Sequence, residues 1–61
     1  MDETIMYPRK CRRNLHILKN EIGICVETAY AMMLMTAALM DLNPEDEEVL
    51  HIIMKDCGME E

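Results

Sequence analysis

Glu48 and His51 stand three residues apart in a segment that reads as helix, which places a carboxylate and an imidazole on one helix face. Supplied by two helices, this Glu-x-x-His spacing serves di-iron carboxylate bundles, with further carboxylates from neighbouring helices. Glu21 and Glu27 are the candidates for those extra ligands. The distances along the chain oppose the arrangement. Glu27 lies on the order of 24 Å before the helix break at residues 42–44, and Glu48 about one turn after it, so the two do not meet within one chain. Glu48 has a simpler reading as one of four acids, Glu45, Asp46, Glu47 and Glu48, at the positive end of a helix dipole. No metal ligands are assigned and no cofactor is expected.

The other reactive side chains form no recognisable site. The chain contains no Ser, and neither His16 nor His51 sits in a nucleophile motif. Cys11 with His16, and Cys57 with His51, lack zinc-ligand spacing. There is no glycine-rich phosphate loop. Together these absences point away from an enzyme. The third cysteine, Cys25, lies in an apolar stretch and is expected to be a small core residue. Three cysteines far apart in sequence do not make a disulfide framework, and reduced thiols suit a cytoplasmic protein.

Charge is unevenly placed. Residues 1–21 carry a net +2 and residues 22–61 a net −8, for −6 in all. Arg9, Lys10, Arg12 and Arg13 could touch phosphates from a helix start, but the acidic whole opposes nucleic acid. Basic groups at a helix N-terminus also work against its dipole and ask for compensation. The run Glu45, Asp46, Glu47 and Glu48 of a neighbouring chain would supply it in an antiparallel dimer. These eight residues are the candidate partner-binding positions.

The elements that must position these groups are helical. Met, Leu, Ile and Ala make up most of the apolar content, with two Tyr and no Phe or Trp, which favours helix over strand. Residues 1–7 read as a flexible arm, and Pro8 suits a first helical position. Residues 8–42 read as one long helix, with a possible bend near Gly23. Leu15, Leu18, Ile22, Cys25, Ala29, Met32, Thr36 and Leu39 fall on alternating three- and four-residue steps, the seam of a coiled-coil-like helix. Opposite run Arg13, Asn20, Glu27, Leu34 and Asp41, polar except for Leu34. A second reading puts a turn at residues 19–23, with a β-hairpin of residues 15–18 and 22–26 as its weaker form. Asn43 can cap a second helix that Pro44 opens. That helix spans residues 44–57 and ends at Gly58 in a left-handed cap, followed by a tail at 58–61. Val49, Leu50, Ile53 and Met54 form its apolar face, which Cys57 extends and Ile52 broadens.

Residues 22–42 are apolar on nearly every side, with Glu27 and Asp41 as their only charges. A two-helix hairpin cannot cover that surface, so a second body is expected. A membrane span has the right length, but Glu27, Gly23, two Thr and the missing aromatic belt count against it. The predicted fold is all-α: a single domain with a long and a short helix in a hairpin, paired as a dimeric four-helix bundle. The interface would be the seam together with Val49, Leu50, Ile53 and Met54. The function this suggests is non-catalytic protein–protein binding, as a regulator, adaptor or inhibitor. The alternatives are a nucleic-acid-binding regulator using the basic head, and a single-span membrane peptide.

Overall fold

The computed structural model describes residues 3–59. Two 3-10 turns, Glu3–Met6 and Arg9–Cys11, lead into three helices: α1 Arg12–Ile22, α2 Val26–Met40 and α3 Glu47–Asp56. The described residues are all helix, turn or loop, with no strand.

The expected long helix is two helices. Gly23 adopts φ +80°, and its N–H caps α1 by donating to the Lys19 carbonyl at 3.0 Å. Cys25 then turns extended, with ψ 156°, and serves as the N-cap position of α2. The helical segments on either side of the break lie 117° apart. The reason is burial. A straight helix over residues 8–42 would be about 50 Å long and would have little of the chain left to pack on. Broken at Gly23, it sets the apolar faces of α1 and α2 against each other. Glycine reaches positive φ without the penalty other residues meet, so it is better suited to this cap than to a helix interior. The in-phase seam across Gly23 was no guide to continuity, because each half satisfies its own apolar face separately.

The second predicted helix starts three residues later than expected, at Glu47. Residues 43–46 form a turn instead: the Asp46 N–H donates to the Asn43 carbonyl, and the Asp46 carboxylate accepts the Asn43 N–H, both at 3.0 Å. Asp46, not Asn43, therefore holds the N-cap position. The predicted left-handed stop is present. Gly58 has φ +80°, the Met59 N–H reaches the Met54 carbonyl at 2.8 Å, and the Gly58 N–H reaches that of Lys55 at 3.0 Å. This is a Schellman closure. α2 ends in a related way on a residue that is not glycine: Asp41 has φ +57°, and the Leu42 N–H donates to the Ala37 carbonyl at 2.8 Å.

The segment expected to be a flexible arm is tied down over its described part. Thr4 is fully buried, with its hydroxyl 3.0 Å from His16 Nε2. The Tyr7 ring meets that of Tyr30 at 4.7 Å and 54°. Residues 1–2, and residues 60–61 of the expected tail, lie outside the described part.

The core joins Cys11 with Leu15 and Leu18 of α1, Val26, Ala29, Met33 and Ala37 of α2, and Val49, Leu50 and Ile53 of α3. The total surface of 4272 Å² is close to the roughly 4,100 Å² of a folded monomer of this mass. One chain thus packs a core of its own from all three helices. The residues expected at an oligomer interface divide between this core and the surface. Leu15, Leu18, Ala29, Val49, Leu50 and Ile53 are buried inside the chain, and Ile22, Met32, Thr36 and Met54 are half-buried. Only Cys25 and Leu39 of that set are exposed. A third helix, created by the break, covers the inward side of α2 but not Ala31, Leu34, Met35, Ala38 and Leu39, which stay exposed.

Candidate binding surface and exposed thiol

α2 turns Val26, Ala29, Met33 and Ala37 into the core and leaves an opposite strip in solvent. That strip holds Thr28, Ala31, Leu34, Met35, Ala38 and Leu39, with Met35 65% and Leu39 82% exposed. No charge interrupts it between Glu27 and Asp41. A helix apolar on every side is usually buried on every side, so the open strip is the least ordinary surface of the molecule. Of its members, only Leu39 was among the expected interface residues. A helix with no polar side carries no directional signal, so which side faces inward could not be read from α2 itself.

The basic head and the acidic turn meet within one chain. Arg13 Nη2 lies 4.0 Å from Glu47 Oε2, both side chains being largely exposed. Asn14 makes the firmer link: its buried amide donates to the Pro44 carbonyl at 3.2 Å and the Asp46 carbonyl at 3.0 Å. The Arg12 guanidinium donates to the Ile5 carbonyl at 3.3 Å. Arg9 and Lys10 are exposed, as is Glu48, while Glu45 and Asp46 are half-buried. The compensation assigned to a neighbour's acids is thus supplied in part by the chain's own Glu47, at the start of α3. His51 lies 3.3 Å from Glu47 Oε1, one helical turn away. Among the described residues, no three His, Cys, Asp or Glu side chains converge as metal ligands would.

Cys25 is exposed, not core. It stands at the start of α2 with Sγ 3.0 Å from the Thr28 hydroxyl. Hydrogen bonds from the Thr28 side chain and backbone hold its thiol below the ordinary value, against weaker opposition from desolvation and from the Glu27 charge. It opens on a shallow cleft bordered by Glu3, Met6, Tyr7 and Glu27. Cys11 is the buried thiol, pushed up by burial and by the negative charge of Glu45. All three cysteines are unbridged. Cys25 leaves the core because the extended residue that starts α2 points away from it, whereas Cys11, in the turn before α1, points inward.

Among the described residues, no single helix is long and apolar enough to cross a membrane. Compared with protein-family models, curated proteins and solved structures, the chain matches none.

Proposed function

We propose that this is a small non-catalytic helical protein that acts by binding protein, with the outer strip of α2 as its contact surface. The observation that carries this reading is the uncharged apolar strip from Thr28 to Leu39, left open by a chain that has otherwise closed its core. Exposing such a strip opposes folding economy, and contiguous apolar patches on small proteins mark interaction sites. A regulator, adaptor or inhibitor of this kind needs no reactive group of its own. Self-association belongs to the same reading: a dimer built through this strip would join two three-helix units around their α2 helices. A reducing, cytoplasmic setting agrees with three unbridged thiols, two of them exposed.

The test is a comparison of baits. The intact chain and a Met35→Glu/Leu39→Glu double variant are used to capture proteins from a native lysate, after circular dichroism shows equal helix content. Partners held by the intact chain and lost by the variant support the reading. Equal capture by both would place the contact elsewhere.

A further inference from the structure

We infer that the strip on α2 is occupied by the same strip of a second copy, the two helices running antiparallel with Ala31 opposite the partner's Ala38. The inference rests on the reading of α2 as a binding surface and names its occupant.

Thr28, Ala31, Met35 and Ala38 are exposed along α2 on three-, four- and three-residue steps, the spacing by which one helix meets another along a seam. The strip is close to palindromic in size. Two small residues, Ala31 and Ala38, flank two large ones, Leu34 and Met35. Reversed against itself, it sets small against small at both ends, so the backbones approach closely. It also sets Leu34 and Met35 of both copies together in the middle. A twofold axis needs this self-match, because the same patch serves both partners. Charge does not choose the direction. A parallel pair would place Glu27 beside the partner's Glu27 and Asp41 beside the partner's Asp41, and the antiparallel register sets Asp41 opposite the partner's Thr28, next to its Glu27, at both ends. The direction rests on the size match of the strip. No charge has to leave water at the centre of the strip.

Size sets the strength. α2 is about 22 Å long, and a strip one helix wide covers on the order of 400 Å² per copy. Stable interfaces cover roughly 800 Å² per partner. The pair is therefore weak and reversible, forming toward the upper end of micromolar concentrations.

Sedimentation equilibrium of the full chain without detergent, from roughly 10 µM to 1 mM, tests the pairing. The expected result is a mass rising with concentration from 7.1 kDa toward twice that value. Met35→Glu should weaken the pair at least about tenfold with unchanged helix content, and Lys55→Gln, exposed on α3 away from the strip, should leave it unchanged. Direction is read by disulfide trapping in a Cys25→Ser/Cys57→Ser background. Ala31→Cys mixed with Ala38→Cys should give the mixed disulfide in excess over either homodisulfide. Homodisulfides alone would overturn the antiparallel arrangement. A monomer throughout would overturn the second copy as occupant, and so would flotation of that monomer with phosphatidylcholine vesicles, which would make lipid the occupant. If the chain stays monomeric but the double variant described above still loses a lysate partner, the binding surface stands and only the self-pairing falls. If neither self-pairing nor that loss is seen, both fall.

Discussion

The side-chain amide of Asn14, on the first turn of α1, donates to the backbone carbonyl of Asp46, thirty-two residues away, at 3.0 Å. A second bond from the same nitrogen reaches the Pro44 carbonyl at 3.2 Å. Asn14 is only 1% exposed, so these bonds are shielded from water. They fasten the turn between α2 and α3 to the start of α1. They also hold the acidic run beside the basic head, where Arg13 and Glu47 face each other at longer range.

Replacing Asn14 should therefore cost more than replacing Arg13. Asn14→Ala removes the donor to the Pro44 carbonyl and one of the donors to the Asp46 carbonyl, which keeps the Val49 and Leu50 N–H groups, and should destabilise the fold by about 1–2 kcal/mol. In a domain of this size that lowers the melting temperature by on the order of 10 °C. Arg13→Ala breaks only an exposed pair and should cost less than about 0.5 kcal/mol. Thermal melts followed by circular dichroism rank the two; an equal or larger loss in the Arg13 variant would contradict the assignment.

Gly23 separates the observed break from the straight helix. In a helix interior, Gly→Ala stabilises by about 1 kcal/mol. At φ +80° the same change should destabilise by roughly 1 kcal/mol, although a Cβ there would meet nothing within 4 Å. The sign of the change in urea midpoint decides between them. Asp41 offers the reverse experiment. It sits at φ +57° with a side chain that disfavours this conformation, so Asp41→Gly should stabilise by up to about 1 kcal/mol.

Met33 and Leu39 lie six residues apart on α2 and should respond in opposite ways. Met33 is fully buried among the three helices, and Met33→Ala should cost roughly 2–5 kcal/mol. That is a large share of the ~3–9 kcal/mol holding a chain of this length. Leu39 is 82% exposed. Leu39→Ala should change the melt of a dilute sample by less than about 0.5 kcal/mol. A larger loss at Leu39 would mean that α2 is rotated from its described orientation.

The exposed Cys25 and the buried Cys11 predict a reactivity order and a pH effect. At neutral pH, limited alkylation of the folded chain should label Cys25 well before Cys11, by peptide mass mapping. Thr28→Val should slow the labelling of Cys25, because it removes the leading cause of the lowered pKa. Cys11 has the opposite sign. Its folded thiol is raised above the ordinary value of 9.0. The stability linked to it is complete below pH 9.0 and is lost as pH rises from there through the folded value. The wild-type melting temperature should fall more steeply above that pH than that of Cys11→Ala.

Sequence alone determined the class of structure and several of its signals. Helix-forming apolar residues at three- and four-residue steps specified an all-α chain, and the apolar face of residues 49–54 is the face that α3 buries. Gly58 followed a run of good helix formers and ends α3 in the predicted left-handed turn. These features are local, decided by propensity and by the next few residues. What the local pattern could not decide was Gly23. A glycine there is compatible with a weak point in one helix or with the end of another, and both choices keep the seam in phase. Tertiary burial selects the second, because only a broken chain brings Leu15 and Leu18 into one core with Met33 and Ile53. The same holds for the candidate surface. α2 is apolar all round, so its sequence has no preferred inward side. Packing of α1 and α3 against it made Met33 a core residue and left Met35 and Leu39 in solvent. Asn14 shows the limit most plainly: a polar residue in a helix start reads as surface, and only the approach of the 44–46 turn makes it a buried clasp.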